Sequence, residues 1–565
     1  MENSSFAEAG RGRKRAAGRR RRALSVLLAA AVLAGCTAYP QAGPVQAANP
    51  DLPDSAQVAQ TASGPVKDAP PSEIVAGFLR ASAAGLDDDF GTARRFLTQD
   101  AAVFWDPAKS ALIYPSDSSL NLQTVTAGGQ VDAVKLETPV TGTLSRNGQF
   151  TATEPGSRST LQFKMAKDEA GQWRISDLDD GVLISSASFS LSYNARNLTF
   201  LTTDRKAAVP DLRYLPRRRL ATHVVNALLA GPAPWLEGAV ASTVPAGAQL
   251  DGAGVELTDG VAEVELTTEA RMSVAERALL RAQVEGSLAG IPQVQSVRTV
   301  LNGEVITEAS AVLEPRPGGA PLLIVSSERR LLQRVGDSWR IVEGPSEVSV
   351  DPRHPTYLGG HFVFIDGNEL KVMDSREARV LAVDDLTRPS ADRLEWVWSQ
   401  LRGPNLTAVR KDGKSTTIAV PWLSQSQVLQ LLVSRDGARL VVVRKQDGIV
   451  RLEVAGIRRD AEGIPTGLSE PSYLAEVADS FYQATWENDV QLLVLHGRDG
   501  VSLLERLPLG GVRSSQRVQD GALQVAANPS DGTVVVVNKE GELYQLRGGV
   551  WRLTSSGVTD PSFGN

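Results

Sequence analysis

The one cysteine of the chain, Cys36, is the residue whose type and position most directly imply chemistry. It follows Leu33-Ala34-Gly35 at the end of an apolar stretch, residues 23–34, interrupted only by Ser25. With no second thiol, an intrachain disulfide or a Cys-based zinc site is excluded, so the chemistry open to Cys36 is modification of its sulfur. Other groupings invite chemistry and fall short of it. Gly413-Lys414-Ser415-Thr416 carries the end of a phosphate-binding loop, but the required upstream glycine falls on Ala408 and the flanks read strand-turn-strand, so a hairpin turn is expected. Asp177, Asp179 and Asp180 before Gly181 approach a calcium loop with the spacing off by one and Ser188 near where a bidentate Glu belongs; they read as a solvated turn. Asp87-Asp88-Asp89 reads as an interhelical loop with a helix cap. A G-x-S-x-G elbow is missing, and Gly467-Leu468-Ser469-Glu470 runs on into Pro471. His223, His354, His361 and His496 lie in different elements without an H-E-x-x-H pair; His354 and His361 are the two that one face could gather around a metal, and structural roles are expected for them. Paired carboxylates for glycoside hydrolysis are defined by separation in space and stay open at this level. The residues therefore point to no catalytic centre, no metal and no cofactor.

The segment ahead of Cys36 has the form of an export signal. Residues 11–22 are basic, and the twelve-residue apolar stretch after them is too short for the ~30 Å hydrocarbon core, which takes about 20 residues. Leu33-Ala34-Gly35-Cys36 looks like the lipobox of bacterial lipoproteins, which implies peptidase cleavage between Gly35 and Cys36 and a diacylglyceryl group on the Cys36 thiol. Residues 1–35 are thus the expected signal peptide, with Sec export as the default because the residues after Arg21-Arg22 fit a twin-arginine signal poorly. Residues 36–70 are the lipidated cysteine and a tether dense in Ala, Pro, Gln, Gly and Ser, which cannot bury enough apolar surface to order itself. The expected location is the extracytoplasmic face of the plasma membrane, held by the Cys36 lipid. Charge agrees with a non-nucleic-acid role. Of 59 basic and 65 acidic residues, residues 1–35 hold eight and two, leaving 51 against 63 and a net charge of −12 beyond them. Nucleic acid is excluded as a partner, because that binding rests on Lys and Arg neutralising phosphates.

Three folded regions are expected. Residues 71–188 open with a helix capped by Ser72 and carrying Ile74, Phe78 and Leu79, followed by a second helix with Phe90, Ala93 and Leu97 on one face. Strands follow, with Asn147-Gly148 as a hairpin turn and Gln172-Trp173-Arg174-Ile175 as the close. This order resembles the cone fold of the nuclear-transport-factor-like superfamily. Residues 189–309 alternate strand and helix: a strand at 197–203, a helix carrying Leu220, Val224, Ala227 and Leu228, a hairpin about Asp259-Gly260, a helix opened by the capping box Ser273-Val274-Ala275-Glu276, and a turn at Asn302-Gly303. Together with Ala227-Leu228-Leu229-Ala230-Gly231-Pro232, Val244-Pro245-Ala246-Gly247 and Asp259-Gly260-Val261-Ala262, it resembles the GerMN domain of germination and sporulation proteins. Residues 310–320 read as a linker. Residues 321–565 are strand and turn throughout, with units near 347–351, 395–399, 428–434, 481–486 and 523–529, the period of propeller blades, giving five or six. Leu431 to Val443 and Val525 to Val537 echo one another, each pairing two buried strands through an Asp-Gly turn. The propeller is expected to fold by itself.

The whole order of lipobox, tether, cone-like region, GerMN region and propeller resembles the actinobacterial lipoprotein LpqB family. The resemblance implies a non-enzymatic protein that binds the extracytoplasmic domain of a membrane sensor histidine kinase, that of the Mtr two-component system, and modulates its signalling in cell-wall growth and division. It supplies no catalytic residues; Cys36 is the one functional position carried over. The alternative is a cell-wall glycan-binding or glycan-cleaving protein using the propeller channel.

Overall fold

Two consecutive prolines, Pro70 and Pro71, open the first helix. In the computed structural model, residues 62–116, 120–314, 322–344, 351–402, 404–477 and 480–564 are described. Residues 1–61, with Gly35 and Cys36, lie outside them, as does most of the expected linker. Helix α1 (Pro71–Ala83) has Pro71 in its first turn and Pro70 as N-cap, so Ser72 sits inside the helix and the expected cap is corrected. Its apolar face, Ile74, Val75, Phe78 and Leu79, is buried. The second expected helix is corrected as well. Asp89 and Phe90 adopt left-handed backbone, φ 55° and 58°, and only Gly91–Arg94 is helical. The chain is then drawn to a sheet edge, Phe96 O accepting from Ile175 N at 3.0 Å and Thr98 N donating to Ile175 O at 2.9 Å. Those bonds replace the helical ones, and Thr98 caps a fresh helix, Gln99–Phe104.

Two four-stranded sheets complete this first body. Asn121–Ala127, Gln130–Pro139, Arg158–Lys167 and Trp173–Asp177 form an antiparallel sheet. Phe150–Ala152, Gly142–Ser145, Ser110–Tyr114 and Val182–Ser185 form the other, the last two parallel. Phe78 meets Trp105 and Phe163 edge-on at 5.2 and 6.0 Å between ring centroids, which fixes α1 across the core. A short helix, α2 (Ser186–Ser192), leads out of it.

The second body is built on a long hairpin, Tyr193–Thr202 with Ala208–Pro216. Helices α3 (Leu220–Leu229) and α4 (Val274–Leu288) pack over it and over a sheet in which Val261–Thr267 runs parallel to Ser296–Leu301. Parallel neighbours need a crossover, and α4 supplies it. Its capping box is formed, Ser273 Oγ accepting from Glu276 N and the Glu276 carboxylate from Ser273 N. Gln283 is fully buried on α4 and satisfied, its carbonyl accepting from Thr243 N at 2.6 Å and its amide donating to Thr199 O at 3.0 Å.

The described residues of the C-terminal region form six blades. Blade 1 holds Leu322–Ser327, Arg330–Val335 and Ser338–Ile341, and its fourth strand is the C-terminal Thr559–Gly564. Pairing of the first strand with the last, Leu323 opposite Phe563, closes the ring and hides two sheet edges. The innermost strands of blades 2 to 6 are Arg353–Leu358, Leu386–Ala391, Gln427–Val433, Ser480–Asn488 and Ala522–Asn528. The unit read at 395–399 is instead the second strand of blade 3, Trp396–Arg402, because the true inner strand, Leu-Thr-Arg-Pro-Ser-Ala, faces the axis and lacks an apolar run. Of the unit read at 347–351 only Asp351 is described, and it precedes the inner strand of blade 2.

Candidate functional site

The residues singled out for chemistry are dispersed. Gly413 closes a turn, its N–H on Arg410 O at 2.8 Å, so the Gly-Lys-Ser-Thr run joins two strands of blade 3. Asp177 pairs with Lys164 at 2.7 Å, while Asp180 accepts from Asp106 N and Lys109, bonds that hold its carboxyl below the usual range. Asp88 caps the turn at Thr92 N, 2.8 Å. His354 and His361 serve separate carboxylates, Asp560 at 2.6 Å and Asp374 at 3.7 Å. Among the described residues no three His, Cys, Asp or Glu side chains gather as a metal site.

Side-chain amides join neighbouring blades around the propeller axis. Gln430, Gln483 and Gln524 each follow an irregularity in the register of an inner strand and reach the next blade. Gln430 donates to Ala484 O at 2.9 Å and accepts from Ala484 N at 3.0 Å; Gln483 does the same with Val525 at 2.8 and 3.1 Å. Gln524 accepts from Asp560 N and donates to its carboxylate. The side-chain amide thus acts as a borrowed peptide group between sheets. The signal was in the sequence, since Gln430 and Gln524 lie six and seven residues before the aspartates of equivalent Asp-Gly turns. A cavity of about 120 Å³ lies among the inner strands, and its described lining contains no carboxylate. Glycoside hydrolysis uses two carboxylates, and this lining supplies neither.

The strand Ala208–Pro216 joins all three bodies. Arg213 and Asp211 form a buried ion pair, 3% and 2% exposed, at 2.6 Å. Arg213 also donates to Asn147 O in the first body at 3.1 Å and to Gly231 O at 3.3 Å, and Asp211 accepts from Ala233 N. Pro210 O accepts from Arg439 of blade 4, a fully buried guanidinium ion-paired with Asp436. Tyr214 N donates to Gly148 O at 2.7 Å. Beyond α3, Ala233, Trp235 and Leu236 pack into the apolar core of blades 4 and 5. Ser469 Oγ donates to Trp235 O at 2.6 Å, and Gly456 runs so close that a Cβ there would stand 2.8 Å from Trp235 O. Sequence reading gave none of these contacts: the propeller expected to fold by itself shares part of its apolar core with residues 233–236.

Beside this junction a cleft of about 620 Å³ opens between the first body and α3. Phe90, Ala111, Leu144, Leu215 and Ala227 are buried along it, with the rings of Tyr193 and Tyr214 between them. Burial pushes both phenols up to about 12. His223 and Asn226 line the cleft from one stripe of α3, with Arg219 at its N-cap. His223 is held below its ordinary value by burial and by the charge of Arg219.

Three family models match the chain: "Lipoprotein LpqB, N-terminal domain" over residues 64–190, "Sporulation and spore germination" over 197–307 and "Lipoprotein LpqB beta-propeller domain" over 331–564. The chain is similar to Lipoprotein LpqB of Bifidobacterium longum, 25% identical over 550 residues that cover 92% of this chain and 94% of that one. It is 27% identical to Lipoprotein LpqB of Streptomyces coelicolor over 98% of this chain and 99% of the relative. With Lipoprotein LpqB of Cutibacterium acnes it shares 33% identity over 50% and 47%.

Proposed function

Because this chain belongs to the LpqB lipoprotein family, we propose that it is a non-enzymatic regulator, anchored through Cys36 to the outer face of the plasma membrane, that binds the extracytoplasmic domain of a sensor histidine kinase. The kinase is that of the Mtr two-component system, and the output is phosphorylation of its response regulator during cell-wall growth and division. The observation that carries the reading is the joining of three bodies through one strand, Ala208–Pro216. A rigid body presents a preorganised surface and loses little freedom on binding. The joining of the blades around the propeller axis accords with a surface role. Among the described residues no helix is long and apolar enough to cross a membrane, so the lipid on Cys36 is the proposed hold. Confinement to the kinase's own membrane raises effective concentration and lets a modest interface suffice.

The test places kinase, response regulator and lipidated protein in one bilayer and follows phosphoryl transfer. The expected result is a changed rate of response-regulator phosphorylation, abolished when the lipoprotein is left out. An unchanged rate, together with turnover of a cell-wall glycan by the lipoprotein alone, overturns the proposal in favour of an enzyme.

A further inference from the structure

We infer that the cleft between the first body and α3 is a binding site for an anionic amphiphile, a single carboxylate or phosphate head carried on an alkyl chain. The inference goes beyond the kinase reading and does not depend on it. Its volume, about 620 Å³, is that of a small-molecule site. Its two ends differ in chemistry. The buried residues along it, Phe90, Ala111, Leu144, Leu215 and Ala227, are apolar, with the Tyr193 and Tyr214 rings between them. The mouth carries Arg146, Arg218 and Arg219 against one carboxylate, Asp89. Arg146 is partly neutralised by Asp106. Arg218 and Arg219 are held by backbone carbonyls, Asp87 O at 2.7 Å and Ala253 O, and among the described residues neither enters an ion pair. A guanidinium has five N–H donors in a fixed fork, so both retain donors for an oxyanion after those bonds are made. Such a cationic mouth stands out on a body of net charge −12. His223, one turn along α3 from Arg219, is positioned to report the occupant: the burial and the arginine charge that hold it below its ordinary value would be offset by an anion beside it.

Residues 37–565, which contain the whole compact unit beginning at residue 60, are titrated calorimetrically with dodecyl phosphate, dodecanoate, dodecanol and inorganic phosphate. The expected result is one dodecyl phosphate or dodecanoate per chain, with dodecanol and inorganic phosphate at least about tenfold weaker. Binding of the phosphate alone among the two amphiphiles assigns a phospholipid head, and binding of the carboxylate alone assigns a free fatty acid. The double variant Arg218→Gln/Arg219→Gln weakens binding by at least about tenfold. Ala108→Trp, which places a ring over the exposed rim, also weakens it while the melting temperature stays unchanged. In the complex the His223 ring resonances move toward the protonated form at fixed pH. No saturable binding of either amphiphile overturns the inference, as does binding indifferent to both variants. Dodecanol binding as well as dodecyl phosphate overturns the anionic head, and inorganic phosphate binding as well overturns the alkyl chain.

Discussion

Asp560 shows how much one side chain can be asked to hold. It is 2% exposed in the closing strand of the propeller, in left-handed backbone, with His354 at 2.6 Å and Arg388 and Arg353 at 3.7 and 3.9 Å. Burial opposes its ionisation, but the His354 hydrogen bond and the charges of His354, Arg388 and Arg353 outweigh it, so the carboxyl sits below its ordinary value. A depressed carboxyl stabilises the fold above the unfolded value and loses that contribution as pH falls through the folded one. Asp560→Asn should therefore flatten the fall of melting temperature from about pH 5 to about pH 3; identical slopes in the two proteins would refute the assignment. Cys36 carries the proposed anchorage. Cys36→Ala should abolish incorporation of an alkyne-tagged fatty acid, and label persisting on the variant would remove Cys36 from that role.

At the scale of elements, the hairpin between Gly142–Ser145 and Phe150–Ala152 shows where a local signal ends. Asn147-Gly148 announces the turn, and Gly148 has φ 75°. The turn also docks: a Cβ on Gly148 would stand 2.6 Å from the backbone carbonyl of Tyr214. Gly129, with φ 82° in another hairpin, has nothing within 4 Å of the same position. Gly129→Ala should cost about 1–2 kcal/mol for the left-handed backbone. Gly148→Ala should cost distinctly more, because the first body must also shift off strand Ala208–Pro216. Thermal unfolding of both variants isolates the docking cost, and equal losses would show that the hairpin does not bear on Tyr214. The broken second helix teaches the same lesson: Phe90, Ala93 and Leu97 do share a helical spacing, yet backbone bonds to Ile175 decided the path.

At the scale of the molecule, the interdependence of the bodies is the testable property. Trp235 and Leu236 are buried beside Val443, Leu452 and Val454 of blade 4, and losing one large buried aromatic costs about 3–5 kcal/mol against a typical net stability of about 5–15. A fragment beginning at residue 322 should be aggregation-prone and readily digested, whereas one beginning at residue 193 should resist the same protease. Equal resistance would bear out the autonomous propeller.

The sequence by itself determined what repeats or is local: hairpin turns, the capping box at Ser273, alternating buried strands, the blade period and the order of regions that marks the family. These depend on neighbours a few residues apart, whose spacing is written in the chain. The tertiary structure alone decided which atoms meet across long separations: the Arg213–Asp211 hub reaching Asn147, Arg439 on Pro210, Trp235 inside blades 4 and 5, and Arg218 and Arg219 brought over Phe90 and Leu144. Such contacts carry no periodic signal. Each is fixed by how finished elements fill one another's surfaces, a property of close packing that linear spacing does not encode.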